Sequence, residues 1–484
     1  MPDAVHPFDA ATVMLRALAR RRVSALELLE WQQRRIERYN GELNVIVAQD
    51  LDAARRAARR ADQARARGAR GRLLGLPVTF KEWYAVAGMG TTAGDPARAH
   101  VVARADARTV ARVRGAGAII LGKTNVPLNG ADFQADNPLF GRTSNPWRRN
   151  RTSGGSTAGA AAVAAGLTPL EFGSDRGGSI RVPASFCGVY GHRPSETALP
   201  RTGVHPAGLA PNPVSGMALQ GPLARSPADL ELAMDVAAGA DDGEDAAWRL
   251  ALPPARHAKL REFRIAVLPP IAWLPLDPEI EAAIEGFARR LRKAGARVAR
   301  ALPEGFADLH PVYDLYLRLR LAMTSWSQPV EDRRREAREY RARRDPIFDA
   351  YARGLEASAS DYIAWHAEQE AVRAAYRRFF RRWDILLAPV APVPAFPHVT
   401  APWAERRLSV GGRQLPYDLL MAYPALASVS GQSATALPIG LSRDGLPLGV
   451  QAIGPYLEDR TPLRFAELVL HAFGGLGPPP GYAA

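Results

Sequence analysis

The stretch RTSGGSTAGAAAVAAGLTPLEFGSDRGGSIR, residues 151–181, carries the strongest structural pattern in the chain. Two glycines precede a run of small residues over 156–166, which predicts a tightly packed helix that begins after a sharp turn. An apolar segment over 168–175 predicts a strand that runs into a second glycine-rich loop. A loop, a helix, a strand and another loop in close succession indicate an α/β fold.

The same alternation continues on both sides of this stretch. Residues 8–70 are predicted to be mainly helical, and Ser24 with Glu27 forms a capping-box pattern there. Further helices are predicted at 107–118, 277–295, 305–380 and 460–473. Strands are predicted at 43–48, 76–81, 118–125, 263–269, 383–390, 434–440 and 446–454. A proline-rich loop is expected from the end of the strand at 383–390 to about residue 415.

This order of elements predicts one large α/β domain over residues 1–484, with a mixed twisted β-sheet covered by helices on both faces. Within the domain we distinguish N-terminal helices at 1–72 and a central core at 73–240. A helix-rich variable region is expected at 305–420.

The composition indicates a folded cytoplasmic protein. Hydrophobic residues make up 47% of the 484 positions, which is too many for a disordered chain. A single cysteine excludes an internal disulfide framework and a cysteine-based metal site. The N-terminal residues lack a signal-peptide core, and the most apolar run, 158–170, is shorter than the roughly 20 residues of a membrane span. We therefore expect no membrane partner.

The formal net charge of +14 raises the question of nucleic-acid binding. Many arginines lie in helical runs mixed with acidic residues, such as 331–345 and 376–384, which favours a solvated surface with intrahelical ion pairs. No zinc-finger or basic-zipper motif accompanies the charge. Because the chain has 59 arginines and only four lysines, a lysine such as Lys81 is expected where a side chain must give up its proton.

Serine and cysteine side chains in the two glycine-rich loops allow several interpretations. Glycines before Ser179 let backbone N–H groups converge on an oxyanion, as acyl transfer requires. Ser156 follows the other Gly-Gly pair, where it is equally suited to be a helix N-cap. Cys187 is the rival nucleophile, although its apolar surroundings favour a buried structural side chain.

The sequence places no histidine base in these loops. The nearest of the nine histidines, His192, is expected to be structural. A serine–lysine arrangement is chemically sufficient, and Lys81 ends a predicted strand. The Gly-Gly turn before the helix lacks both glycine-rich phosphate-loop patterns, so phosphate binding is the weaker interpretation. No metal or other cofactor is expected.

Motifs of the central region occur together in the order typical of one enzyme family. They are GLPVTFKE (75–82), GKTNVP (122–127), NPLFGRTSNPW (137–147), RTSGGSTAGAAAVAAG (151–166) and GSDRGGSIRVPASFCGVYGHRPS (173–195). By these motifs the chain resembles the amidase signature family over residues 10–475, most specifically over 75–235. The resemblance makes 73–240 the catalytic signature core and 305–420 a variable substrate-pocket region.

The resemblance implies a Ser–cisSer–Lys amidase. Lys81 falls on the base lysine of the family, Ser156 on the serine that follows a cis peptide bond, and Ser179 on the nucleophile. The oxyanion hole falls on the backbone N–H groups of Arg176, Gly177, Gly178 and Ser179. Substrate contacts are expected from Gly130, Asp132 and Gln134.

Four positions depart from the family pattern. Glu82 replaces the usual aspartate, and Thr157 replaces a frequent second serine. The alanine-rich run after Ser156 is one residue shorter than expected. Arg176 stands where a small or apolar residue is more usual, so its side chain either points away or brings a positive charge to the substrate.

The function implied by the resemblance is hydrolysis of a carboxylic acid amide to an acid and ammonia or an amine. A Ser179 acyl-enzyme forms, with Ser156 and Lys81 as the proton relay and no cofactor. The expected partner is a small-molecule amide, with no nucleic acid, and a homodimer is left open. The alternatives are a glutaminase subunit of a tRNA-dependent amidotransferase and a non-catalytic or nucleic-acid-binding protein.

Overall fold

Within the described part of the chain, a mixed sheet of eleven strands, flanked by helices, carries the loops of residues 151–181. The computed structural model describes residues 5–204, 216–306 and 308–483 of one α/β domain. The predicted regions 1–72, 73–240 and 305–420 each include residues outside these ranges.

The strands alternate with helices along the chain, as the sequence pattern predicts. The strands are β1 Ile46–Ala48, β2 Pro77–Lys81, β3 Ile119–Thr124, β4 Asp136–Asn137, β5 Gly141–Arg142, β6 Leu170–Asp175, β7 Tyr190–Arg193, β8 Leu219–Ala224, β9 Arg264–Val267, β10 Arg297–Arg300, β11 Ile385–Pro389, β12 Arg407–Val410, β13 Arg413–Pro416, β14 Ala434–Leu441 and β15 Pro447–Ile453. The order in the large sheet is β1-β3-β2-β6-β8-β7-β14-β15-β11-β9-β10.

The helices cover the sheet and build one wall of a cavity. They are α1 Ala11–Ala19, α2 Ala25–Leu43, α3 Leu51–Ala66, α4 Arg108–Gly115, α5 Gly159–Ala164, α6 Arg181–Cys187, α7 Pro227–Ala237, α8 Pro278–Lys293, α9 His310–Thr324, α10 Val330–Arg341, α11 Pro346–Leu355, α12 Ala359–Arg382, α13 Ala422–Ser430 and α14 Arg460–Phe473. The capping box of Ser24 and Glu27 is confirmed at the start of α2.

Strands β2 and β6 are parallel neighbours in the sheet. Thr79 lies opposite Glu171, and Phe80 lies opposite Phe172. Every side chain of β2 is buried, as expected for a central strand covered on both faces. Because parallel strands end at the same edge of a sheet, the loops that follow β2 and β6 meet in space.

Helix α5 is short and entirely buried, and close packing against the sheet explains why its residues are small. All six residues over Gly159–Ala164 are buried. A Cβ atom on Gly159 would overlap the carboxyl group of Glu171 on β6. Only glycine allows this helix to lie so close to the sheet.

The prediction of a proline-rich loop up to residue 415 is wrong over its last part. Strands β12 and β13 form a two-stranded antiparallel hairpin there. Gly411 and Gly412 connect them with φ values of +53° and +81°, the backbone that a tight hairpin turn requires. Additional elements that the sequence pattern did not predict are α6, α7, α13, β4, β5, β7, β8 and β10.

Arginine-rich helices form the expected ion pairs with acids on the same helix. Arg335 pairs with Asp332 at 2.5 Å on α10, and Arg353 pairs with Asp349 at 3.0 Å on α11. These ion pairs neutralise part of the positive charge of each helix with acids on the same helix. Over the described ranges, no helix is both long enough and apolar enough to cross a membrane.

Candidate active site

Lys81 ends β2 with its side chain buried and directed at two serines. Its Nζ donates hydrogen bonds to Ser156 Oγ at 2.7 Å and to Ser174 Oγ at 2.8 Å. Burial disfavours the charged ammonium and lowers the pKa of Lys81 to about 7. A lysine in this state can exchange a proton with a hydroxyl group near neutral pH.

Charged neighbours act on Lys81 in opposite directions. After desolvation, the carboxyl groups of Asp175 and Glu171 raise the pKa of Lys81, whereas the Arg176 guanidinium lowers it. Glu171 lies on β6, accepts a hydrogen bond from Thr124 Oγ1 at 2.6 Å, and has its own pKa raised to about 8 by burial. Glu171 is therefore mainly protonated near neutral pH and opposes a neutral Lys81 only weakly.

Ser156 lies in the first glycine-rich loop, and its peptide bond with Gly155 is cis. The preceding Gly154 has φ +82°, and a Cβ atom there would lie 2.6 Å from Pro183 Cα. The loop thus needs glycine both for its backbone conformation and for its close packing. The N-cap interpretation of Ser156 is wrong, because α5 begins at Gly159 after Ala158, with no side-chain cap.

The second glycine-rich loop is shaped by the carboxylate of Asp175. This carboxylate accepts hydrogen bonds from the N–H groups of Gly178 at 3.0 Å and Ile180 at 3.1 Å, and it pairs with Arg181 at 2.8 Å. Burial alone would raise the pKa of Asp175, but Arg181 outweighs it and the pKa falls to about 2. The loop that carries Ser179 is consequently anchored by a group that is ionised at neutral pH.

This anchoring changes the expected set of oxyanion donors. The N–H of Gly178 already donates to Asp175, so it is committed to the loop and not to a substrate. The N–H groups of Gly177 and Ser179 make no hydrogen bond with another residue of the described ranges. The N–H groups of Gly177 and Ser179 therefore stay candidates for binding an oxyanion.

A cavity of about 700 Å³ opens onto these loops. Its wall includes Lys81, Ser156, Ser174 and Ser179. Arg176 lines the cavity too, and its guanidinium interacts electrostatically with Lys81 and Arg320, which also line it. A volume of this size accommodates a small molecule, and such cavities are the usual sites of ligand binding.

Of the three predicted substrate contacts, Gly130 and Asp132 line the cavity and Gln134 does not. The amide of Gln134 is bound at both ends by the backbone of Val399, at 2.8 and 2.9 Å. Asp132 accepts a hydrogen bond from the Tyr417 hydroxyl at 2.8 Å and pairs with Arg406. The Asp132 carboxylate is thus bound by Tyr417 and Arg406. Gln134 holds the backbone of Val399 in place.

Burial resolves the roles of Cys187 and His192. The Cys187 thiol is buried, contacts the backbone oxygen of Ser153 at 3.3 Å, and has its pKa raised by desolvation. It does not line the cavity. His192 is buried between Thr435 at 2.9 Å and Asp459 at 3.2 Å, as expected of a structural histidine.

The replacement of aspartate by Glu82 is accommodated beside the second buried lysine. Glu82 accepts hydrogen bonds from the N–H groups of Thr92 and Ala93, both at 2.7 Å. Lys123 Nζ lies 3.4 Å from Glu82 Oε1. Glu82 and Lys123 therefore form a buried pair that orders the 90–93 segment next to the catalytic candidates.

Several side chains around the cavity were not identified from the sequence, among them Ser174, Tyr316 and Arg320. Ser174 is the second hydrogen-bond partner of Lys81, and alternation along β6 places it on the same side as Phe172. Tyr316 and Arg320, one turn apart on α9, also line the cavity, and the Tyr316 hydroxyl packs against Gly177 of the Ser179 loop. Their helix comes from the variable region, where no motif marks them.

Comparison with known proteins agrees with this architecture. The Amidase family model matches residues 27–463. A glutamyl-tRNA(Gln) amidotransferase subunit from Koribacter versatilis is 30% identical over 95% of this chain and 97% of its own. An acylamidase from Rhodococcus erythropolis is 30% identical over 94% of each chain. A solved structure reported as a vestigial protein complex, on the origins of an s-triazine catabolic enzyme, has a TM-score of 0.82 and 29% identity, covering 96% of this chain and 99% of its own.

The family match extends over most of the chain, and both curated relatives align along nearly their whole lengths. The names of these relatives cover two different activities, since one is an acylamidase and the other belongs to an amidotransferase. The shared fold and these identities show that the chain belongs to the amidase signature family of amide-hydrolysing enzymes.

Proposed function

We propose that this protein hydrolyses carboxylic acid amides through an acyl-enzyme on Ser179. The observation that carries the proposal is the 2.7 Å hydrogen bond between Lys81 and Ser156 at the wall of the cavity that Ser179 also lines. A lysine with a pKa of about 7 supplies a base without histidine.

The chemistry begins when Ser179 Oγ attacks the amide carbonyl carbon. The proton of Ser179 passes to Ser156, whose own proton passes to neutral Lys81. The N–H groups of Gly177 and Ser179 donate to the carbonyl oxygen as it becomes negative. When the C–N bond breaks, the same relay returns the proton to the leaving nitrogen.

The second half of the reaction releases the acid. Water attacks the Ser179 ester and loses a proton through the relay, and the carboxylic acid leaves as the Ser179 hydroxyl reforms. Every proton that Lys81 accepts is returned within one turnover, so the cycle needs no external base.

The test is a panel of primary and N-substituted amides with wild type and Ser179→Ala, combined with fluorophosphonate labelling. We expect Ser179→Ala to lower kcat at least about a thousandfold and to abolish the label. Lys81→Ala should also remove hydrolysis, while Cys187→Ala, the control, should keep both activity and label. Full hydrolysis by Ser179→Ala or Lys81→Ala would show that the mechanism is wrong.

A second candidate is the glutaminase subunit of a tRNA-dependent amidotransferase. Its support is the 30% identity with the Koribacter versatilis protein over nearly the whole of both chains. This function requires partner subunits and glutamine as the amide donor. Co-purification of partner chains with glutamine-dependent activity would favour it, whereas hydrolysis of simple amides by the isolated chain favours the amidase.

A further inference from the structure

Arg320 places a guanidinium group at the cavity without a carboxylate partner. It lies on α9 and is half-buried, and its only hydrogen bond within the described ranges is a 3.5 Å contact with the Tyr351 hydroxyl. In the same ranges no carboxylate comes within 4.0 Å of it. A half-buried cation that is not paired by the protein favours an anion from solution.

Arg176 lines the same cavity from the loop that precedes Ser179. Tyr316 lies one helical turn before Arg320 and packs against Gly177, the residue that follows Arg176. Its hydroxyl lies only 2.5 Å from the position that a Cβ atom on Gly177 would take. After desolvation, the charge of Arg320 is a further cause that lowers the pKa of Arg176, so the two guanidinium groups are close enough to repel each other.

The acidic side chains of the wall do little to offset these two charges. Asp175 is paired with Arg181, and Asp132 is paired with Arg406. The remaining acid of the wall, Glu336, lies on α10 beside Tyr340 and more than 4.0 Å from the Arg320 guanidinium.

Asp418 lies behind the wall and also acts on Arg320 through its charge. Its carboxyl group accepts hydrogen bonds from the Tyr351 hydroxyl and from Trp403 Nε1, the latter at 2.7 Å. Burial raises the pKa of Asp418, whereas its hydrogen bonds with Tyr351 and Trp403 lower it. The carboxyl group is directed at these two side chains and does not line the cavity. The side of the cavity between the Ser179 loop and α9 is therefore electropositive.

We propose that Arg176 and Arg320 form a subsite for a carboxylate, and that the substrate is the monoamide of a dicarboxylic acid. This inference rests on the proposed amidase function. A guanidinium group binds a carboxylate through paired N–H donors. Arg176 is three residues from Ser179, so the carboxylate is held near the amide carbonyl and the acyl chain is short, about four to six carbons.

The charge distribution also separates this substrate class from glutamine. Glutamine has a carboxylate but carries an ammonium group on the adjacent carbon. That ammonium would lie beside the same two guanidinium groups, where like charges repel. Glutaric acid monoamide, which has the same chain length and no ammonium, is expected to be the better substrate.

The experiment compares each monoamide with the uncharged diamide of the same length, for succinic, glutaric and adipic acid. The ratio of kcat/KM between the two isolates the contribution of the carboxylate. For wild type we expect a ratio of at least about ten for one chain length. Arg320→Gln and Arg176→Gln should each lower this ratio about tenfold, and Arg320→Lys should recover part of it. Arg289→Gln, an exposed charge loss on α8, should leave the ratio unchanged.

A binding measurement separates failure of this inference from failure of the proposed function. Calorimetric titration with succinate, glutarate and adipate should give a Kd for wild type that rises about tenfold in Arg320→Gln. Arginine-dependent binding without hydrolysis of any amide would keep the subsite and reject the amidase. Ser179-dependent hydrolysis with a ratio near one, unchanged in both glutamine variants, would keep the amidase and overturn the subsite.

Discussion

Lys81 Nζ lies 2.8 Å from Ser174 Oγ, a hydrogen bond that joins the ends of the parallel strands β2 and β6. The second bond of Lys81, to Ser156, lies at 2.7 Å. A neutral lysine has two N–H donors and one lone pair. If one N–H is held by Ser174, the lone pair can be directed at the Ser156 proton, so Ser174 acts as a positioning residue.

Replacement of Ser174 tests this positioning. Ser174→Ala removes one hydrogen bond worth about 1 kcal/mol, and we expect kcat to fall about fivefold with little change in KM. Ser174→Thr keeps the hydroxyl and should recover most of the rate. Equal loss in both variants would mean that bulk at this site matters, not the hydrogen bond to Lys81.

The pH dependence of kcat/KM should follow the protonation of Lys81. Its lowered pKa means that the neutral, active form predominates above a pH of about 7. Activity should therefore rise with pH through about 7 and level off at higher pH. A flat profile from about pH 6 to 10 would contradict the role of Lys81 as a base.

Two charge-removing substitutions should move this profile in opposite directions. Arg176→Gln removes a charge that lowers the pKa of Lys81, so the rise in activity should shift to higher pH. Glu171→Gln removes a group that raises the same pKa and should shift it to lower pH. Shifts of the same sign would show that these charges do not control Lys81.

Asp175→Asn should destabilise the protein as well as the loop of Ser179. It leaves the fully buried Arg181 without its carboxylate, which costs about 3–5 kcal/mol in the free energy of unfolding. The matched control is Asp52→Asn, whose side chain is 83% exposed and should change stability by less than about 0.5 kcal/mol. Denaturant unfolding of both variants measures the difference.

The lowered pKa of Asp175 predicts how the free energy of unfolding depends on pH. The folded-state pKa of Asp175, about 2, lies below its ordinary value of 3.8. Its stabilising contribution is fully present above the ordinary value and is lost as the pH falls towards about 2. Asp175→Asn should flatten the stability profile across this acid range, and an unchanged profile would contradict the ion pair.

Gly178→Ala should distort the nucleophile loop. Gly178 has φ +113°, and a Cβ atom there would lie 2.7 Å from Pro424 Cγ. Gly68→Ala is a matched control, because Gly68 has φ +87° but open space around it. We expect the control to cost about 1–2 kcal/mol from backbone strain alone, and Gly178→Ala to cost more and to lower kcat strongly. Similar effects in both would show that packing against Pro424 is unimportant.

The local pattern of residue types in the sequence predicted much of this fold. Apolar runs marked strands such as β2 and β6, and glycine pairs marked the loops around them. The hairpin of β12 and β13 was missed because two four-residue strands in a proline-rich segment give little periodicity. The loops of Ser156 and Ser179 stood out because glycine and serine cluster there in a recognisable order.

Lys81, Ser156 and Ser179 stood out as candidates from residue types and local turns, and the resemblance to the amidase signature family implied their roles, because short-range turns and motifs are local properties. Their chemical state could not be read from the sequence. Packing against β6 buries Lys81 and lowers its pKa, and the fold adds Ser174 as its second partner. Packing also brings Arg320, on a helix without a motif, to the loop of Arg176. Desolvation and charge interactions depend on distances between segments far apart in sequence, so they exist only once the sheet and helices have assembled.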